Sequence, residues 1–290
     1  MWETLFERLK PFLEILKLKG SAVDVSVILA TVAFLGEVDW RVIPAIISGI
    51  LIHSGSDIYN DIYDKEIDRV CKPKAPIASG RMSLKVAWRY LCLLVFTALT
   101  ISLILSKILF FCYVVGILCG YLLYSHPKFR FKDKPVIAIA TIAFCFSLEA
   151  IGTWSIYSSI TKDTLIVATY VFLLIFSLVF MKDFKDVKGD VNSLTLMLGI
   201  SKAAKVCSAL AFVPLEIMII LSIIYKSINM LIIAIIFLLL ISSCINILLF
   251  RDPVTLGHKL RDRMILSIFA PNTILFILTF RKKIFGGISL

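Results

Sequence analysis

Three observations predict an all-α, polytopic membrane fold, a nine-transmembrane-helix bundle around a central apolar chamber with a cytoplasmic cap of loops. Of 290 residues, 59% are hydrophobic and only 18% charged, which excludes an ordinary soluble domain. Apolar runs near the ~20 residues that cross a bilayer recur along the whole chain. Positive residues alternate by loop, 24 on one side of the resulting topology against 7 on the other. Residues 1–290 are therefore read as a single integral-membrane domain.

Residues 1–20 come first. Trp2, Leu5, Phe6, Leu9, Phe12, Leu13 and Leu16 recur at helical spacing among Glu, Arg and Lys. That pattern predicts an amphipathic segment on the cytoplasmic surface, not a cleavable signal. The expected spans are about 21–36, 40–56, 87–106, 108–125, 135–157, 164–181, 206–225, 228–250 and 264–280. The first two are short and interrupted by Asp24 and His53. Between the second and third, Cys71–Gly80 reads C-K-P-K-A-P-I-A-S-G, a loop that folds back. Gly199 predicts a break and Ser201 an N-cap before the seventh span, and Pro214 and Pro271 predict kinks.

The charge pattern orients these spans. The N-terminal segment and the loops after the even-numbered spans hold the bulk of the Lys and Arg, whereas Arg41, Lys107, Lys162 and Lys226 stand alone in the loops after the odd-numbered ones. The N-terminus is thus expected in the cytoplasm and the C-terminus outside. Arg281, Lys282 and Lys283 run against the rule and are explained by headgroup anchoring. Topology accounts for the excess of 31 basic over 20 acidic residues without nucleic acid. The seven cysteines show no CxxC pair and read as small buried hydrophobes. His53, His126 and His258 are scattered, with no second ligand at helical spacing.

The acids are the opposite of scattered. Asp61, Asp64 and Asp68, and again Asp183, Asp186 and Asp190, recur at i, i+3 and i+7, one face of a helix. Like charges at that spacing repel, so the stripe persists where a polyvalent cation or solvent offsets the repulsion. Both stripes fall at cytoplasmic ends of spans, where the helix dipole disfavours acid. Mg2+ binds through one or two carboxylates and substrate phosphates. Two such stripes among Lys and Arg describe a site where diphosphate is held through metal and becomes a good leaving group. A diphosphate that ends a hydrocarbon chain explains why the site sits on a membrane bundle. Glu149 and Glu216, acids within apolar runs, are further functional candidates.

The run N-D-I-Y-D-K-E-I-D-R at 60–69, followed by K-P-K-A-P-I-A-S-G at 72–80, resembles the first signature of UbiA-like intramembrane prenyltransferases. D-F-K-D-V-K-G-D at 183–190 resembles their second signature, and Tyr124 with Lys128 their Y-x-x-x-K element. Within that superfamily the runs are most similar to digeranylgeranylglyceryl phosphate synthases, the archaeal branch that adds a second geranylgeranyl ether. Departures are Cys71 where Asn is common, Lys72 and Lys74 for arginines, Val191 for Arg, and Lys17-Leu18-Lys19-Gly20 near the place of an R-P-x-N entry.

The resemblance implies Mg2+-dependent ionisation of geranylgeranyl diphosphate and capture of the allylic cation by geranylgeranylglyceryl phosphate, in contact with membrane lipid. Asn60, Asp61, Asp64, Asp68, Asp183, Asp186 and Asp190 would hold metal and diphosphate. Lys72, Lys74, Arg81, Tyr124, Lys128, Arg130, Lys132 and Lys182 would contact diphosphate, Tyr63 and Tyr121 would stabilise the cation, and Lys17 and Lys19 would suit a phosphate-bearing acceptor. The alternative acceptor is aromatic or a quinone precursor, of 4-hydroxybenzoate or menaquinone type. A secondary transporter or divalent-cation permease is the non-enzyme reading. Transport sites lie near the midplane on broken helices, whereas these stripes lie at the membrane edge. A lipid-binding scaffold would have degraded stripes, and all six aspartates are present.

Overall fold

The computed structural model describes residues 9–187 and 192–285. Every regular element among them is helical, in the order α1 (Leu18–Leu35), α2 (Val42–Tyr63), α3 (Lys65–Cys71), α4 (Leu84–Leu105) and α5 (Lys107–Leu123). Then follow α6 (Pro135–Trp154) and α7 (Lys162–Leu178), the latter prolonged by a 3-10 turn over Val179–Lys182 and a last helical turn over Asp183–Asp186. The chain ends in α8 (Leu194–Leu198), α9 (Ile200–Leu210), α10 (Phe212–Ile224), α11 (Ile228–Phe250) and α12 (Gly257–Phe285).

Among the described residues eight helices are long and apolar enough to cross a membrane, with α9 and α10 together forming one of them. The run expected at about 108–125 is the shorter apolar helix α5, whose last turn, Leu118–Leu123, is π-helical. The boundaries differ from expectation for local reasons. α1 starts at Leu18 and ends on Gly36, whose φ of 78° suits a glycine terminator. α2 runs on to Tyr63, because polar residues from Asp57 onward continue a helix as well as apolar ones do. Gly199, with φ 75°, breaks the chain as expected, but it caps α9 itself, and Ser201 lies inside that helix. The interruption at Ala211 precedes Pro214, which lacks the N–H that would bond the carbonyl of Leu210. Pro271 stays within α12.

The core runs through α1, α7, α11 and α12, where Val27, Leu174, Phe237 and Ile268 are fully buried. Apolar faces gain little by leaving lipid for one another, so close packing and interhelical polar contacts hold such a bundle. One such contact is a buried chain: Tyr170 Oη donates to Asn272 Oδ1 at 2.8 Å, and Asn272 Nδ2 to Ser26 Oγ at 3.5 Å, tying α7, α12 and α1. Phe96, Ile104, Ile223, Leu239 and Phe250 point outward, more than half exposed, a surface matched to hydrocarbon. The part of the amphipathic N-terminal stretch from Leu9 onward is anchored within the fold as well, while Trp2, Leu5 and Phe6 lie outside the described residues. Ile15 is fully buried, and the Phe12 ring meets Tyr90 of α4 edge-on at 5.2 Å.

α12 begins against the end of α7. A Cβ on Gly257 would lie 2.5 Å from Lys185 Cα and 2.7 Å from its amide nitrogen, so only glycine permits this approach. Gly257→Ala is expected to force the two ends apart at a cost of about 1–3 kcal/mol, measured as a lower melting temperature in detergent.

Candidate functional site

The N-D-x-x-D run leaves the bundle at the end of α2. Asp61 lies on α2, Asp64 at the break where ψ turns to 8°, and Asp68 on α3, so the expected single helical face is carried by two helices joined at Asp64. The i→i−4 bonds continue across the joint (Asp64 N to Asn60 O, 2.9 Å; Asp68 N to Asp64 O, 2.7 Å), which keeps the three carboxyls on one side. All are buried or nearly so.

Each aspartate of this stripe carries a lysine from a different part of the chain. Lys17 Nζ lies 2.7 Å from Asp61 Oδ1, Lys132 Nζ 2.5 Å from Asp64 Oδ2, and Lys72 Nζ 3.2 Å from Asp68 Oδ1. Arg130 stands 3.5 Å from Asp64 and also pairs with Asp133 at 2.8 Å. Asn60 Oδ1 accepts from Lys132 at 2.7 Å and from the buried Ser125 hydroxyl at 3.1 Å. Burial opposes the charge on Lys17, but Asp57 and Asp61 overcome it and its ammonium is pushed up to about 12. Burial draws Lys132 below the usual lysine value despite Asp64. Lys72, also opposed by burial, is raised by Asp68.

The other candidates divide into those brought to this place and those held elsewhere. Lys182 Nζ donates to Tyr124 Oη at 3.4 Å across the mouth of a cavity. Arg81 pairs with Glu14 at 2.6 Å and donates to the Lys74 carbonyl, so it locks the 72–82 loop onto the N-terminal segment. Lys74 and Lys128 are exposed, the latter over the Phe129 ring. Lys19 is exposed and pairs with Asp262 at 3.7 Å. Tyr63 packs against Tyr59, Trp88 and His126 instead of lining the cavity, while Tyr121 lines it and donates to the Ile52 carbonyl at 2.6 Å. Asp183 is buried and accepts from the Leu194 N–H at 3.4 Å. The side chain of Asp186 and the whole of Asp190 lie outside the described residues.

The cavity encloses about 640 Å3 between α1, α2, α5, α6, the end of α7, and α12. Its mouth carries Lys17, Asp57, Tyr124, Lys182, Lys185 and Arg261, and its deeper wall Cys112, Tyr113, Cys145 and Phe146. Asp24, His53 and Glu149 also line it. Glu149 is buried with Oε2 unpartnered, whereas Glu216 is exposed on α10. Sequence reasoning passed over Ser125, Lys185 and Arg261; nothing in their local spacing marks them, because their role comes from the packing of distant helices.

Among the described residues no three His, Cys, Asp or Glu side chains converge as a ready-made metal site. The fit to a hard cation rests on chemistry: the donors are carboxylate oxygens, and Asp68 Oδ2 is buried without a hydrogen-bond partner. Asp61, Asp64 and Asp68 are the residues that would hold Mg2+, and each is engaged with a lysine in this structure. Lys17→Met removes the cation nearest the buried Asp61 carboxylate. It is expected to lower stability by about 1–3 kcal/mol, measured as a fall in melting temperature without divalent cation.

Residues 25–267 match the model of the UbiA prenyltransferase family. The chain is 29% identical over 204 residues to a digeranylgeranylglyceryl phosphate synthase of Sulfolobus acidocaldarius, covering 66% of this chain and 70% of the relative. A solved structure concerned with digeranylgeranylglyceryl phosphate synthase in membranes superimposes with a TM-score of 0.68 at 23% identity, covering 94% of this chain and 98% of that one. A UbiA homolog from Archaeoglobus fulgidus, bound to DMAPP and Mg2+, gives 0.68 at 17% identity, covering 90% and 99%. Both likenesses concern the fold.

Proposed function

We infer the activity from one premise: the chain belongs to the UbiA prenyltransferase family. Within it, our reading is transfer of a geranylgeranyl group from its diphosphate to the hydroxyl of geranylgeranylglyceryl phosphate, forming an ether. The observation that carries this reading is the juxtaposition of a buried, lysine-paired aspartate stripe with the mouth of a largely apolar cavity. Similarity to synthases of that name supports the choice of acceptor, and a homologue with bound DMAPP and Mg2+ supports metal use. We place the N-terminus in the cytoplasm, the C-terminus outside and the site at the cytoplasmic face, on the charge alternation of the loops.

In this reading bound Mg2+ neutralises charge that builds on the departing diphosphate. The chain's own groups do the rest. Asn60, Asp61, Asp64 and Asp68, with Asp183, Asp186 and Asp190 of the second aspartate run, would hold the metal. Lys72, Lys132, Arg130 and Lys182 are within reach of the stripe or the cavity mouth, where they bind diphosphate oxygens. Lys74, Arg81 and Lys128 stand farther out, on the loops that cover the site. Lys17, expected to suit a phosphate-bearing acceptor, is engaged with Asp61 and serves the stripe first; Lys19 keeps the acceptor role with Arg261 nearby on the rim. The prenyl chain lies along the apolar wall, and Tyr121 faces the allylic cation.

Labelled geranylgeranyl diphosphate, offered with geranylgeranylglyceryl phosphate and 4-hydroxybenzoate in parallel, with and without Mg2+, tests the reading. Mg2+-dependent product with only the glycerol phosphate is expected. Product with only the aromatic acid moves the enzyme to the aromatic or quinone branch, and transfer to neither overturns both acceptors. Asp64→Ala and Asp186→Ala are each expected to abolish turnover while the protein stays folded, as checked by the same assay beside a melting curve.

A further inference from the structure

Two cavity-lining side chains of α2 stand just beneath the aspartate stripe without belonging to it. His53 and Asp57 precede Asp61 at steps of four residues, each about 6 Å along the helix axis. His53 Nε2 and Asp57 Oδ2 are 4.0 Å apart, too far to bond each other. One oxygen lying off the line between them reaches both at about 2.8 Å. Their surroundings hold this gap open. His53 Nδ1 lies 2.8 Å from the buried Asp24 on α1, and the Phe146 ring of α6 packs 6.0 Å away. The other Asp57 oxygen faces Lys17 at 3.9 Å. Opposite Nε2, α1 is bare: a Cβ on Gly20 would sit 2.9 Å from it.

We propose that His53 and Asp57 bind and deprotonate the nucleophilic hydroxyl of a lipid alcohol acceptor, with Asp24 positioning the imidazole. The inference rests on the prenyl-transfer reading above and names the part of the site that selects a hydroxyl. With a carboxylate facing each ring nitrogen, both nitrogens of His53 donate. The acceptor oxygen receives the Nε2–H and donates its own proton to Asp57. As the C1–O bond of the prenyl diphosphate breaks, its electron pair leaves with the diphosphate. A lone pair of the acceptor oxygen then forms the new C–O bond, and the oxygen's proton passes to Asp57 Oδ2. An oxygen that has gained a third bond is a strong acid, so a carboxylate is base enough. A site built to bond a hydroxyl on both sides rejects acceptors that lack one.

The test uses full-length protein in detergent, with two readouts. One is transfer to geranylgeranylglyceryl phosphate, and the other is Mg2+-dependent binding of the unreactive donor analogue geranylgeranyl thiolodiphosphate, by calorimetry. Asp57→Asn is expected to lower kcat about 100-fold and leave analogue Kd within about threefold. His53→Leu is expected to raise acceptor KM about tenfold or more, with His53→Gln recovering most of it and Asp24→Asn falling between. If His53→Leu does not fold, Gly20→Ala carries the test: its methyl covers Nε2 and is expected to raise acceptor KM while analogue Kd stays constant. Transfer by Asp57→Asn and His53→Leu within about threefold of wild type, or analogue binding that falls in step with transfer, overturns the hydroxyl site alone. A wild-type protein that transfers to no acceptor overturns the underlying prenyl-transfer reading instead.

Discussion

Carboxylates crowded at the end of a membrane helix need counter-charge, and the arrangement of this protein follows from how that need is met. Asp61, Asp64 and Asp68 repel one another within two turns and are removed from water, which is costly for a charge without a partner. Lys17, Lys132 and Lys72 answer them one each, from the segment before α1, the loop before α6 and the end of α3. Two remote pieces of chain are thereby drawn to the stripe, while Lys72 answers Asp68 from one turn further along. The pairs fasten the segment before α1 and the loop before α6 to the end of α2, beside the cavity mouth.

The helix ends are shaped for the same purpose. A break at Asp64 turns the chain without losing the side on which the carboxyls lie. The π turn of α5 shifts the register of that helix just where Tyr121 and Tyr124 meet the cavity, a common position for such turns. Gly257 lets α12 approach the end of α7 at backbone distance, which brings Arg261 to the rim beside Lys185. Below the rim the wall turns apolar within a few turns, so a charged headgroup and a hydrocarbon chain have adjoining places.

Within that wall buried and half-buried polar groups form a second layer. Asp24, His53 and Asp57 come from two helices and lie beneath the stripe, and Glu149 lies deeper, with Oε1 beside Gly49 and Oε2 unpartnered. Such groups are expensive inside a membrane and tend to mark a pathway or a reaction. Tyr170, Asn272 and Ser26 are polar in the same environment, yet they satisfy one another and act as a clasp between helices. Glu149 has no such partner for its Oε2.

The sequence by itself determined eight of the nine expected spans, with the run at 108–125 forming a shorter apolar helix, and the spacing of the first aspartate stripe, because hydrocarbon thickness and helical spacing are local constraints that residues meet or fail within one stretch. It also located the loops that carry cations, since positive-inside topology acts loop by loop. Pairing was another matter. That Lys17 belongs to Asp61 and Arg81 to Glu14, that Tyr63 sits in an aromatic cluster while Tyr121 lines the cavity, and that Ser125 holds Asn60 were decided only by tertiary packing. The same holds for His53, an isolated histidine in an apolar run until α1 lays Asp24 against it. Coulomb and hydrogen-bond energies depend on distances between elements far apart in the chain, and no local pattern encodes those distances.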